Sequence, residues 1–133
     1  MAAPPPQQVA SLAQLEQVFA ANTYVVVDFF ATWCPPCKAI APEYEKLAKG
    51  HGIPGHFAFV KVNVEEAADA AQKYKVTAMP TFLFFKDGKQ VMVHGQLQIL
   101  GGDGKARTAL TAAATKIGGL AAARKAEAEE AAT

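Results

Sequence analysis

Tyr24-Val-Val-Val-Asp28-Phe-Phe30-Ala-Thr-Trp33-Cys34-Pro35-Pro36-Cys37-Lys38 is the stretch on which the fold turns. Its first seven residues are β-branched and aromatic with no polar alternation, the pattern of a strand covered on both faces in the middle of a sheet. One carboxylate, Asp28, breaks that run. Unless it sits at a wet strand end, it is a buried carboxylate without an obvious partner, which is costly. Such a group has a raised pKa and exchanges protons near neutrality. From Cys34 the period becomes helical, with Cys37, Ile40, Tyr44 and Leu47 on one face up to about Lys49. Pro42 lies inside that pattern and predicts a kink, because its ring offers no N–H to the Lys38 carbonyl.

A buried strand therefore runs into a helix that opens with Cys-x-x-Cys, and these are the chain's 2 cysteines. A structural disulfide gains most by closing a long loop, and a ring this small closes almost none. That weakens, without removing, the reading as a staple or as buried thiols. At Cys34 the unpaired N–H groups of a helix start and the helix dipole stabilise a thiolate. In sites of this kind the thiol pKa falls from about 8.5 to about 7 or below. Cys37, one turn further on the same face, can reach the first sulfur. Prolines cost little in a first helical turn. Yet Pro35 and Pro36 supply no N–H, so Pro35→Gly is expected to lower the Cys34 pKa by restoring a donor.

Outward from this centre, a short strand is expected around Gln7 to Ala10. Ser11 and Gln14 form a capping box for a helix from Leu12 to about Ala20. Gly50 to Gly55 is a loop, Phe57 to Val64 a second central strand, and Glu65 to Tyr74 a short helix. Thr81 to Phe85 and Gln90 to His94 flank Asp87-Gly88 as a hairpin, with His94 on the strand surface. A last helix runs from Gly104 to Ala123. The order gives an α/β architecture, a mixed sheet of about five strands covered on both faces by about four helices. Residues 7–123 form one domain, residues 1–6 a flexible Pro-rich leader, and residues 124–133 an Ala/Glu-rich tail expected to fray because acids sit badly at a helix C-terminus.

With 133 residues and 51% hydrophobic composition, the chain can fill one core without metals or staples. Its net charge of +1 gives no reason to expect a nucleic-acid or membrane-surface partner. No apolar run approaches the roughly 20 residues that span a bilayer. The N-terminus has neither a basic, apolar secretory pattern nor the arginines of a transit peptide. A reducing, cytoplasmic location is expected, where a cysteine pair is more often catalytic. Cys34-x2-Cys37-x13-His51-x4-His56 also fits a zinc-finger spacing. However, Gly52, Pro54 and Gly55 separate the histidines, and the cysteines open a helix instead of a hairpin turn; no metal is expected.

Val27-Asp-Phe-Phe-Ala-Thr-Trp-Cys-Pro-Pro-Cys-Lys38, Ala41-Pro42, Lys61-Val-Asn-Val64, Ala78-Met-Pro-Thr81 and Phe85-Lys-Asp-Gly88 together resemble the thioredoxin family, over roughly residues 7–118. The resemblance implies a thioredoxin fold and a protein disulfide reductase with Cys34 as attacking and Cys37 as resolving thiol. It makes Asp28 the buried carboxylate that takes the Cys37 proton, and Lys61 its neighbouring lysine, although a solvated strand-start lysine fits the residue equally well. It also makes Pro80 the cis-proline facing the disulfide, with Trp33, Met79 and Gly95 lining the substrate groove. No bound cofactor is implied. Partners would be thioredoxin reductase, drawing on NADPH, and substrates such as ribonucleotide reductase, peroxiredoxins and methionine sulfoxide reductases, met by a monomer. The family's usual dipeptide is Gly-Pro, so Pro35 and Pro36 are expected to tune the redox behaviour. Gln96 to Gly104 is a few residues longer than the family pattern. Tryparedoxin and nucleoredoxin-like domains share the Trp-Cys-Pro-Pro-Cys string but generally lack the aspartate. A protein disulfide isomerase domain would carry a histidine between its cysteines. A non-catalytic binding module would not be expected to keep both.

Overall fold

In a computed structural model describing residues 3–132, β-branched and aromatic runs become strands and the 3.6-period runs become helices. The elements are β1 (Gln7–Val9), α1 (Leu12–Ala21), β2 (Tyr24–Phe30), α2 (Pro35–His51), β3 (Phe57–Asn63), α3 (Ala68–Lys73), β4 (Thr81–Lys86), β5 (Lys89–Val91), β6 (Gln98–Leu100) and α4 (Gly104–Ala131). The sheet order is β1-β3-β2-β4-β5, with β6 also paired to β4. β1, β3 and β2 are parallel, and β4 turns antiparallel to β2. Ala3–Pro6, the described part of the leader, has no regular structure; Met1 and Ala2 lie outside the described residues.

Strand alternation divides the core in two. Tyr24 and Val26 of β2 pack with Ile40, Tyr44, Phe82 and Leu110 on the α2/α4 face. Val25, Val27 and Phe29 pack with Leu15, Val60 and Phe85 on the α1/α3 face. Covered on both sides, β2 is buried along nearly its whole length, as its unbroken apolar run requires. Ser11 Oγ caps α1 by accepting from Gln14 N–H at 3.2 Å, and Gln14 Oε1 returns a bond from Ala10 N–H at 2.7 Å. Pro42 lies within α2, which continues through it. Tyr44, fully buried on that helix, places its hydroxyl 2.8 Å from the Val60 carbonyl oxygen and 3.0 Å from that of Val26. The hydroxyl also accepts from Val60 N–H at 3.2 Å, so α2 is fastened to β2 and β3 by one polar atom.

The sheet edge and the last helix correct the sequence expectations. The strand expected over residues 90–94 ends at Val91, and a sixth strand follows. β5 pairs Val91 with Phe84, and β6 resumes on the next residue of β4 by pairing Gln98 with Leu83. Residues 92–97 therefore leave a single edge strand as an excursion. Paired bonds between Val93 and Gln96, at 2.9 and 3.0 Å, close its tip. His94 is thus an exposed turn residue, with φ 51° followed by Gly95 at 76°. Such a two-residue turn demands positive φ at both centres.

The last helix also does not stop at Ala123 but runs to Ala131. Alanine and long charged side chains are strong helix formers, and Lys125–Glu129 adds an i,i+4 ion pair at 3.7 Å. Together they outweigh the unfavourable dipole at the terminal acids. Ala121 is the last buried residue of α4. Deleting residues 124–133 should therefore shift Tm by no more than about 2 °C, since exposed changes usually stay within about 0.5 kcal/mol. The helical circular dichroism per chain should fall in the same sample; a large drop in Tm would show that the tail packs on the domain.

Candidate active site

At the end of β2 the chain turns through Ala31–Trp33, and Cys34 N–H donates to the Ala31 carbonyl at 3.3 Å. That turn places Cys34 at the N-cap of α2, with Pro35 and Pro36 as the first two helical residues. Cys34 and Cys37 are joined as a disulfide with their Cα atoms 5.3 Å apart. Cys37 N–H also donates to Cys34 Sγ at 3.2 Å, so the sulfur caps the helix. An N-cap side chain accepts from the second or third helical N–H. Here the second belongs to Pro36 and is missing, while the third is that of Cys37. Pro35 occupies the first position, whose N–H does not aim at the cap. The expectation for Pro35→Gly is corrected accordingly, because Pro36 is the proline whose nitrogen withholds a donor.

The disulfide lies in a small apolar cluster with Ala31, against Phe30, Val64 and Met79. Cys34 is 3% and Cys37 6% exposed, whereas the neighbouring Trp33 is 64% exposed and lays its indole on the surface. The Met79–Pro80 peptide is cis, and the Met79 carbonyl oxygen comes within 3.5 Å of Cys34 Sγ. Met79 and the cis Pro80 thus lie beside the disulfide, and Trp33 precedes Cys34 in the chain.

Gly95 does not join them. It lies in the tip of the excursion, between the bridged Val93 and Gln96. Gly101, at φ 91°, donates its N–H to the Pro80 carbonyl at 3.0 Å, and Gly102 lies against the backbone of Pro36. Leu100, half-exposed, pairs with Thr81, the residue after Pro80. A sequence signal for these residues existed: adjacent glycines directly before Asp103, which caps α4 by accepting from Ala106 N–H at 2.8 Å.

Asp28 is 1% exposed and Oδ1 has no hydrogen-bond partner among the described residues. Burial pushes its pKa from 3.8 up to about 7, with the Lys61 charge pulling the other way. Asp28 and Lys61 are cross-strand partners in the β2–β3 ladder. The ammonium nevertheless lies over the Phe30 ring, 4.7 Å from its centroid, and no ion pair joins it to the carboxylate among the described residues. Asp28, Lys61 and Cys37 line one cavity of about 240 Å³, room enough for water between carboxyl and sulfur. His51 ends α2, about 24 Å along the helix from its start, so it cannot share a metal with the cysteines.

Comparison with known proteins agrees with this geometry. The thioredoxin family model matches residues 8–101. A thioredoxin-like protein of Fusarium culmorum is 58% identical over 113 residues, covering 85% of this chain and 91% of the relative. A thioredoxin of Neurospora crassa is 49% identical, covering 86% and 88%. The solved structure of Malassezia sympodialis thioredoxin superposes with a TM-score of 0.75 at 36% identity, covering 89% of this chain and 95% of that one. With a match of this extent over a helix-capping disulfide, the chain belongs to the thioredoxin family and is a thiol–disulfide oxidoreductase.

Proposed function

We propose that this protein reduces disulfides in other proteins in a cytoplasmic compartment, and that thioredoxin reductase returns it to the dithiol with electrons from NADPH. The observation that carries the reading is the cap: Cys34 Sγ receives the Cys37 N–H while Cys37 shares a cavity with Asp28. In the reduced protein the Cys34 thiolate attacks one sulfur of a substrate disulfide, forming a mixed disulfide as the other sulfur leaves and takes up a proton. Cys37 then gives its proton to Asp28, attacks Cys34 Sγ and expels the second substrate thiol. Two electrons have passed to the substrate and the Cys34–Cys37 disulfide remains. The cysteine pair is itself the redox group, so no bound cofactor is required.

Exposed Trp33 and Leu100, with half-buried Met79 between them and buried Pro80 beneath, supply an apolar surface for an extended substrate segment. Support for the partners comes from the family: a reductase, and substrates of the ribonucleotide reductase, peroxiredoxin or methionine sulfoxide reductase type, engaged by a monomer. Turnover of a disulfide-bonded test protein with dithiothreitol as electron donor tests the activity, and a folded protein without turnover would refute it.

Cys37→Ser should accumulate a stable mixed disulfide through Cys34, and Cys34→Ser should trap none. Mass spectrometry of substrate adducts decides this, and equal trapping by both contradicts the assignment.

Asp28 makes a pH-dependent statement. Its folded pKa of about 7 lies above the unfolded value of 3.8, so the native state binds more protons between those values. Asp28's contribution to stability is therefore full below about pH 4 and falls as pH rises towards 7, by roughly 4 kcal/mol in all. Asp28→Asn should raise stability by several kcal/mol at pH 8 and leave it unchanged near pH 4, measured by urea unfolding. Turnover at pH 7 should fall, because Cys37 loses its proton acceptor. Equal turnover with lower stability would make Asp28 purely structural.

For the prolines, Pro36→Ala restores the second helical N–H. It should lower the Cys34 pKa by up to about 1 unit, while Pro35→Ala leaves it nearly unchanged. Thiolate absorbance titrations of the reduced proteins give both values, and a larger shift from position 35 would reverse the assignment.

A further inference from the structure

With prolines at both preceding positions, the Cys37 N–H is the one backbone donor on Cys34 Sγ among the described residues. Its direction is set by the Pro36–Cys37 peptide, a rigid plane whose carbonyl oxygen and N–H point in opposite directions. Whatever fixes the Pro36 carbonyl therefore aims the donor. The residue packed on that carbonyl comes from the far end of the chain. A Cβ built at Gly102 would overlap the Pro36 oxygen and crowd its carbonyl carbon and Cα, all of them backbone atoms.

The segment carrying Gly102 has little freedom to retreat. On one side Gly101 N–H is bonded to the Pro80 carbonyl at 3.0 Å. On the other, Asp103 caps α4 through Ala106 N–H at 2.8 Å, and Ala106 and Leu110 anchor that helix in the core. Gly102 is thus held between the Pro80 loop and α4, and pressed on the first turn of α2.

The geometry points to Gly102 as a positioning residue: its missing side chain lets the loop between β6 and α4 seat the Pro36 carbonyl, which keeps the Cys37 N–H aimed at Cys34 Sγ. This rests on the reading of Cys34 as the attacking thiol. It adds that the β6–α4 loop, remote in sequence, governs the reactivity of that thiol. Adding a methyl group at Gly102 must move the Pro36 carbonyl and turn the Cys37 N–H off the sulfur. The thiolate then loses a charge-assisted hydrogen bond while the neutral thiol loses little.

Gly102→Ala should raise the Cys34 pKa of the reduced protein by about 0.5–1 unit, read by thiolate absorbance. Mixed-disulfide formation with a small aromatic disulfide should slow by about two- to fourfold at pH 6, after allowing for the higher nucleophilicity of a more basic thiolate. At pH 9, where both thiols are ionised, its rate should equal or slightly exceed that of the parent. Gly104→Ala, whose Cβ meets no atom within 4 Å, is the control in the same segment and should leave both readings unchanged. A folded Gly102→Ala with the parent pKa, or an equal shift in Gly104→Ala, overturns the inference.

If Gly102→Ala does not fold, NMR of the parent protein decides: the Cys37 amide and Gly102 α protons should titrate together with Cys34. A Gly102 signal that stays flat while the Cys37 amide moves overturns it equally. Neither titration depends on turnover. An absent catalytic activity with these shifts intact would refute the proposed function and leave the positioning role standing.

Discussion

One hydrogen bond organises the reactive end of this protein, from Cys37 N–H to Cys34 Sγ at 3.2 Å. A helix start normally offers several unpaired N–H groups, and sharing among them makes each one dispensable. Pro35 and Pro36 remove that redundancy. What remains is a helix cap in which acceptor, donor and the disulfide bond between them belong to the same two residues. The elements around it hold that arrangement still. The turn after β2 receives Cys34 N–H at Ala31, Met79 comes up against the sulfur from the start of β4, and Gly102 closes on Pro36 from the start of α4.

Asp28 supplies the second constraint, and it conflicts with stability. The centre of a sheet covered on both faces is the most expensive place for a carboxylate, and Oδ1 there lacks any partner among the described residues. Lys61 eases the cost without removing it: burial is the larger influence on Asp28, and the ammonium rests on Phe30 at a distance from the carboxyl. A direct ion pair would hold the carboxylate ionised and make it a poor proton acceptor at neutral pH. The looser arrangement leaves Asp28 close to half-protonated near pH 7, which suits a group that must take a proton from a thiol and later release it. The remaining core bears the cost. Tyr44, whose hydroxyl lies within hydrogen-bond reach of backbone groups of both β2 and β3, keeps the strand carrying Asp28 tied to the helix carrying Cys37.

The parts legible in the sequence were those where one strong local signal met no competitor. The apolar run of β2, the switch of period at Cys34 and the Asp-Gly hairpin each had one physical solution, and the sheet followed from their order. Asp28 stood out because it was polar where nothing else was. The misses share a different cause. Residues 92–94 look like a continuing strand, since Met92 and Val93 are strand-compatible. Only the register of Val91 and Gln98 on β4 shows the chain leaving and returning. That excursion hid Gly101 and Gly102, the second of which depends on a contact across 66 positions of sequence, from 36 to 102. The tail was misjudged because the helix dipole was considered without the stronger propensity of alanine.

The excursion leaves the pairing at the centre of the sheet untouched. β5 and β6 lie along the same side of β4 in consecutive registers, so the loop inserted between them changes nothing in the pairing of Thr81 to Lys86. The hairpin leaves the edge, where added length costs little entropy, while Val93 packs back into the α2/α4 core. Beyond it the chain must regain its register by Gln98. Gly101 can then bond to Pro80 and Gly102 can meet Pro36. Three residues of β6 thus reset the position of everything that follows: the glycine pair, the Asp103 cap and α4. The excursion itself stays outside the sheet pairing, so the active-site geometry depends on where β6 lands and not on how far the chain travelled to reach it.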